Sequence, residues 1–454
     1  GSLFIEPKRI RGKLNINLDP SVVKMIGKGN YALIKVDKDM VNGSFDGEFV
    51  KRISLNGTVS DEIALIAYAN GFEIEFPEEV MEEARKIPQT VLPEEIEMYK
   101  DNDFRDEMIF SIDPVGAQDL DDAVSIKKLP NGNWEIGVHI TNVSHYVKPR
   151  SHLFQHAAKN TTSLYVANTV IPLYPEILSN GIFSLNEGVD RLTKSNIYEV
   201  NQDGEIVSFR VCDSIINSKK KMNYDDVNRI ILTGEVPVGY EPFVEDINEM
   251  WIVAQKMIEA AKKQGRVTID SNELYNEYDE DGNIIESEKR QALPAQLIIE
   301  YFMVGANCKN AEYIDPKVVP FMYRVHEGPS VQKLKKAEAI IKSMNIGIDN
   351  IKELCTPKRI REFLISIQES DKFPLISRLI GSSFAKAGYS TVNNGHWGLA
   401  SSKYGHTTSP DRRFSDTRNQ NQMDLFNDIQ AGKVTLSLAD YEKLKDEVQK
   451  EAVH

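Results

Sequence analysis

Ile109-Phe110-Ser111-Ile112-Asp113-Pro114-Val115-Gly116-Ala117-Gln118-Asp119-Leu120-Asp121-Asp122-Ala123 is the stretch that decides the reading of this chain. Four aspartates fall within ten positions, directly after an apolar run. Residues 108–112 read as a short buried strand. Pro114 cannot donate to a strand ladder, so the strand should stop near Asp113. Gly116 permits a sharp bend, which would return Asp119, Asp121 and Asp122 toward Asp113. Carboxylates brought together in this way repel one another and raise each other's pKa. A hard divalent cation is the natural counter-charge, and Mg²⁺ favours one or two carboxylates plus substrate phosphate. Two ions roughly 3.5–4 Å apart can clamp the attacking and leaving oxygens of a phosphoryl displacement. Two other readings of the bare string stay open. One is a solvated acidic turn; the other is a calcium loop, although the D-x-D-x-D-G spacing is absent.

Bulk properties narrow the class. A chain of 454 residues has room for about three domains. Its 41% apolar and 27% charged content is ordinary for a globular protein. No apolar run is long enough for a transmembrane helix, no secretory leader is visible, and Gly1-Ser2 reads as a cloning remnant. Cys212, Cys308 and Cys355 are far apart and form no C-x-x-C pair, which disfavours thiolate zinc and points to a reducing compartment. A cytoplasmic monomer that does not engage membranes is expected. The eight histidines form no H-E-x-x-H, so a zinc hydrolase is disfavoured. The net charge of −14 argues against a general nucleic-acid binder, but leaves room for a local basic channel.

Outward from the aspartates, residues 8–57 read as short β segments suited to a small barrel, with strands at 31–36 and 49–53. Residues 74–107 are acidic and helical, with Pro77, Glu78 and Glu79 at a helix start. Asn131-Gly132 predicts a hairpin between 123–129 and 134–140. His139 and His145 read as structural residues. Residues 207–216 read as a strand, and Lys219-Lys220-Lys221 as a solvated run. Asn223 is placed to cap a helix from Tyr224, and Gly265 to end a long helix over 243–263. A second hairpin is predicted around Asp281-Gly282. Residues 293–313 form a helix on which Glu300 and Asn307, seven apart, share a face. They serve either RNA or structure. Further helices are predicted over 331–345, 373–388 and 436–453.

A second chemical string is Tyr404-Gly405-His406-Thr407-Thr408-Ser409-Pro410-Asp411-Arg412-Arg413-Phe414-Ser415-Asp416. Ser409 is a good N-cap and Pro410 suits the first helical position. Free N–H groups at such a helix start favour an anion. Arg412 in the first turn would turn its planar fork to a phosphate and stabilise charge developing there. The alternative is a capped helix with two surface arginines.

The pattern D-P-x4-D-x-D-D-A resembles the signature of the RNase II / RNase R (RNB) exoribonuclease family. Other stretches match it in order as far as Asp416: Thr161-Thr162-Ser163-Leu164-Tyr165, Phe183-Ser184-Leu185-Asn186 with Asp190-Arg191, the helix segment from Ile299 to Asn307, Tyr323-Arg324-Val325-His326-Glu327-Gly328-Pro329, and the arginine string. The resemblance implies an α+β fold. An RNB catalytic domain over 105–434, a mixed β-sheet surrounded by helices, would follow a partial cold-shock or OB-like barrel over 1–58 and a helical linker over 59–104. A C-terminal helix over 435–454 would close the chain. It further implies Mg²⁺-dependent hydrolysis of single-stranded RNA from the 3′ end to nucleoside 5′-monophosphates, with Mn²⁺ as a substitute ion. By motif position Asp113, Asp119, Asp121 and Asp122 are the metal ligands, and Asp119, Asp121 and Arg412 the catalytic group. Tyr165, Glu300, Asn307, Arg324, Arg412 and Arg413 are the RNA contacts, with Tyr165 stacking on the terminal base.

Several positions depart from the family pattern. Asn142 stands for an acid, Asn160 for an arginine, Ile269 for a phenylalanine, Thr407 for an aromatic, Asp411 for an apolar residue and Gln420-Asn421 for His-Arg. Asp411 is expected to pair with Arg412 and dull its phosphate contact. The C-terminal S1 barrel and a full first cold-shock barrel are unmatched, so a reduced grip on long RNA is expected. The alternatives are a catalytically weak or inactive RNB-fold RNA-binding protein, and an oligoribonuclease-like phosphodiesterase acting on short RNA.

Overall fold

In the computed structural model, described over residues 16–26, 31–41, 44–53, 59–166, 169–266, 274–278, 284–289, 292–347 and 356–453, the chain divides into two units. The first gathers the chain up to Met81 with Ser163–Pro172 and Leu274–Lys289. In it, Ser44–Ile53 pairs antiparallel with Tyr31–Val41 and parallel with Ile16–Asn17. The barrel expected over 1–58 lies partly outside the described residues, which in this span hold a three-stranded sheet and a short helix, Pro20–Ile26. The helix Val59–Ala69 places Ile63 and Ala67 against Ile171, Leu164 and Val166 of a short hairpin, Leu164–Val166 with Thr169–Ile171. Leu274–Tyr278 and Ile284–Lys289 pair antiparallel, as the second hairpin requires. Its turn and Ile269 lie outside the described residues.

The second unit is built on a six-stranded mixed sheet. Its strands are β1 (Phe110–Asp113), β2 (Asp122–Lys128), β3 (Trp134–Thr141), β4 (Asp190–Val200), β5 (Ile206–Asn217) and β6 (Lys220–Asn223), in the spatial order β5-β4-β3-β2-β1-β6. All neighbours are antiparallel except β1 and β6, which run parallel. The Asn131-Gly132 hairpin forms between β2 and β3, with Gly132 at φ +87°, a conformation glycine adopts without a Cβ penalty.

Alternation along the strands separates two faces. Phe110, Ile112, Val124, Ile136, Val138 and Ile140 are buried against three helices, α1 (Tyr224–Thr233), α2 (Val244–Gln264) and α3 (Pro294–Tyr313). On α2 the buried residues Ile247, Met250, Val253, Ala254 and Met257 recur at helical spacing, and Gly265 ends the helix at φ +96°. Full burial of each such aliphatic side chain contributes roughly 1.5–3 kcal/mol. The other face is partly polar. His139 lies between Ser125 Oγ at 3.0 Å and Ser195 Oγ at 2.6 Å, and burial pushes its imidazole down to about 3. His145 contacts Glu95 Oε1 at 2.7 Å and Tyr99 Oη at 3.1 Å. Both histidines are structural.

The lysine run is a correction. Lys220 and Lys221 belong to β6 rather than to a solvated turn, in register with Phe110 and Ser111. The ammonium groups of Lys219 and Lys221 donate to the carbonyls of Arg105 and Ala117. Among the described residues no helix is long and apolar enough to cross a membrane.

Candidate active site

Because β1 and β2 are antiparallel neighbours, the end of one and the start of the other lie on the same edge of the sheet. Asp113 closes β1 and Asp122 opens β2. The connection carries Asp119 and Asp121 and turns at Gly116, φ +85°. It is pinned at several points. Ser184 Oγ accepts from the Leu120 amide at 3.1 Å and donates to the Gln118 carbonyl at 2.6 Å. The Leu185 amide donates to the Leu120 carbonyl at 3.0 Å, and the Thr141 amide to the Asp121 carbonyl at 2.9 Å. Arg191 fixes the Ser184 segment through the carbonyls of Ser184 and Gly181. The Phe183–Asn186 motif therefore serves the aspartate loop.

Burial and mutual repulsion set the electrostatics. Burial pushes the Asp113 carboxyl up to about 6; Asp119 adds to this, while Lys221 and Arg412 oppose it. Asp121 is pushed up to about 7 by burial, against Arg412, the Asp411 amide and Arg413. Asp122 is raised well above the carboxylate range by burial and then by Asp113 and Asp121. Among the described residues, the unpartnered buried polar atoms include three aspartate oxygens at this edge: Asp113 Oδ2, Asp121 Oδ2 and Asp411 Oδ1. Buried, crowded and unsatisfied carboxylate oxygens are what a hard cation neutralises. Among the described residues no three His, Cys, Asp or Glu side chains stand close enough to enclose an ion by themselves. Mg²⁺ does not need such a cage, since it takes one or two carboxylates and completes its shell with water and phosphate. The residues fit an open cation site.

The second string arrives on helix α4 (Phe414–Gln430). The sequence expectation began this helix at Pro410. It begins at Phe414, because Arg413 is extended at φ −135° and the residues before it form a turn. The reason is Asp416. Its buried carboxylate accepts from the Ser409 amide at 2.8 Å, Ser415 Oγ at 2.9 Å, and Arg413 Nε and Nη2 at 2.9 and 2.7 Å. The expected free amide is also taken, since Asp411 N–H donates to Asp121 Oδ1 at 2.9 Å. Arg412 Nη2 donates to Ser409 Oγ at 2.9 Å, and its Nε lies 3.4 Å from Asp121 Oδ2. It thus reaches Asp121 rather than the expected Asp411. Its side chain stays 46% exposed, so the guanidinium is anchored and still open to solvent.

The structure separates the expected site residues. Asp113, Asp119, Asp121 and Asp122 converge with Arg412. Arg413 does not join them, because its fork is occupied by Asp416 inside the protein. Asn307 is buried and holds the preceding turn: its Oδ1 accepts from the Thr407 amide at 2.8 Å and its Nδ2 donates to Thr408 Oγ1 at 3.1 Å. Thr407, the residue in place of an aromatic, also accepts from Asn310 Nδ2 at 2.8 Å. Glu300 is exposed and bonded to Arg266 at 2.5 Å. Arg324 stacks over the Tyr389 ring at 4.6 Å. Tyr165 lies on the hairpin of the first unit and is 51% exposed. Gln420 binds the Thr141 carbonyl and the Ser144 amide, so this departure is part of the packing of α4. Two residues at the site were not assigned to it from sequence: Lys221, which read as surface charge, and Asp411, which was visible only as an odd residue beside Arg412.

Residues 101–427 match the RNB domain. The chain is 42% identical over 343 residues to Ribonuclease R of Thermotoga maritima, covering 75% of this chain and 48% of that protein. It spans about half the length of the curated relatives it matches. Its backbone resembles that of Mycoplasma genitalium RNase R, solved in complex with ribose-methylated single-stranded RNA, with a TM-score of 0.86 at 24% identity over 97% of this chain and 68% of that one. It also resembles the yeast pseudonuclease Ssd1, with a TM-score of 0.71 at 18% identity over 98% of this chain and 56% of that one. The fold is thus shared by a nuclease and a pseudonuclease, and the side chains must decide between them.

Proposed function

The chain belongs to the RNB-domain family, and from that premise we propose that it is a divalent-metal-dependent exoribonuclease that hydrolyses single-stranded RNA from the 3′ end and releases nucleoside 5′-monophosphates. One observation carries this reading: four aspartates and a half-exposed arginine converge on one edge of the sheet.

Asp113, Asp119, Asp121 and Asp122 would hold Mg²⁺, with Mn²⁺ as a substitute, and the bound cation would supply Lewis-acid polarisation of the scissile phosphate. The rest falls to the chain. The carboxylates orient a water for attack on phosphorus. Arg412 turns its free side to the non-bridging oxygens and stabilises the charge that builds as the water oxygen bonds to phosphorus and the P–O3′ bond breaks. Ser409 and Asp121 already hold the guanidinium, so little reorganisation remains. O3′ leaves as the 3′-hydroxyl of the shortened strand, and the released nucleotide keeps its phosphate on the 5′ carbon. The exposed Tyr165 ring is the base-stacking surface by motif position, and Glu300 and Arg324 are exposed or half-buried enough to meet the strand. Asn307 and Arg413 act through the turn they position.

The test is a 5′-labelled single-stranded RNA incubated with Mg²⁺, beside EDTA and beside Asp121→Asn. A ladder shrinking from the 3′ end, absent from both controls, supports the proposal. RNA that stays intact but shifts on a gel would overturn it in favour of a binding channel. Cleavage confined to short oligomers would narrow the substrate instead.

A further inference from the structure

We propose that Asp411 is a fifth carboxylate of the acidic edge, one that helps to hold the divalent cation and lets this protein load it before RNA arrives. The inference rests on the reading of the aspartates as a cation site.

Asp411 is 2% exposed, although its turn borders an exposed arginine. Its own amide grips Asp121 Oδ1 at 2.9 Å, which fixes the residue beside that carboxylate. Its Oδ1 is buried without a hydrogen-bond partner. The charged groups that act on it are Asp121 and Asp119, which repel it, and Arg412, which attracts it. Arg412 is already engaged with Asp121 and Ser409. Arg413, the next cation along the chain, is neutralised by Asp416. A buried carboxylate in this position lacks a counter-charge.

The charge balance makes the point sharper. Asp113, Asp119, Asp121, Asp122 and Asp411 face Arg412 and Lys221. With every carboxyl ionised, the state in which a divalent cation is held, five negative and two positive side chains leave three negative charges. An apolar residue at position 411 would leave two, the charge of a single divalent ion. A phosphodiester approaching the five-carboxylate edge meets more repulsion unless a cation is already present. The extra carboxylate therefore shifts the work of holding the cation from the RNA phosphate to the protein.

The test titrates Mn²⁺ into the full chain without RNA, following free Mn²⁺ by electron paramagnetic resonance. Wild type is compared with Asp411→Asn, Asp411→Ile and Asp113→Asn. Both position-411 variants should bind Mn²⁺ about 10–100-fold more weakly. Metal-free Asp411→Ile should melt above metal-free wild type, because a buried carboxyl with an unpartnered oxygen is gone, and should gain less on adding Mn²⁺. Wild-type affinity in both position-411 variants, with loss in Asp113→Asn, overturns the inference alone. Wild-type affinity in all three overturns the cation reading beneath it. Loss in Asp411→Ile with full retention in Asp411→Asn also overturns the inference, since side-chain shape and not charge would then matter. If Asp411→Ile does not fold, the near-isosteric Asp411→Asn decides.

Discussion

Arg412 and Arg413 are neighbours in sequence and do opposite work. Arg412 is half exposed, steadied by Ser409 and Asp121, and available to a phosphate. Arg413 sits inside the protein in a two-point pair with Asp416. Arg412→Lys should lower the single-turnover cleavage rate by about 10²–10³-fold, because an ammonium cannot reproduce the planar fork. RNA binding by Asp121→Asn and by Arg412→Lys should remain comparable in a gel shift. An unchanged rate would remove Arg412 from the chemistry. Arg413→Met should behave differently. It leaves Asp416 buried and unpaired and should cost about 3–5 kcal/mol in urea unfolding. The sequence placed both arginines at the site but could not divide their roles. The division depends on Asp416 three residues on and on Asp121, which is distant in sequence and close only in the fold.

At the scale of elements, periodicity made much legible. The end of β1 at Asp113, the β2–β3 hairpin, α2 with its terminal glycine and the long α3 follow from Pro114, Asn131-Gly132, Gly265 and the apolar spacing. The start of α4 was misplaced because Ser-Pro is an ordinary helix opening, and nothing local shows that Asp416 will fold back to hold Ser409. The lysine run misled for a related reason. Three lysines read as surface, yet pairing with β1 draws their stems into a sheet edge and one ammonium toward Asp113. The polar face of the sheet carries its own prediction. Folded His139 titrates near 3, whereas an unfolded histidine titrates near 6.5. Between those values the unfolded state binds a proton that the folded state refuses. Its contribution to stability is complete above about pH 6.5 and is lost as pH falls, at up to about 1.4 kcal/mol per pH unit. Denaturant unfolding from pH 7 to 4.5 should therefore fall less steeply in His139→Gln than in wild type. Parallel curves would mean that His139 is not held neutral.

For the whole molecule, the net charge of −14 concealed the feature that matters. A bulk count cannot register that several negative charges lie buried at one edge, where they cost most without a counter-ion. That edge links global stability to metal and to pH. Folded Asp113 and Asp121 titrate near 6 and 7, above the ordinary value of about 3.9. Across that window the folded state holds protons that the unfolded state has released. Metal-free stability from these groups is thus present at low pH and is lost as pH rises from about 4 to 7. His139 contributes with the opposite sign, so the two effects must be separated. The difference between Mn²⁺-loaded and EDTA-treated protein does this, because the histidine term is common to both. That difference should be small near pH 5 and grow toward pH 8, reaching about 2.7 kcal/mol when free Mn²⁺ is a hundredfold above its dissociation constant. Asp113→Asn should flatten the profile. A metal-induced gain that is constant with pH would place the bound ion away from the buried aspartates, and the open cation site at the end of β1 would have to be abandoned.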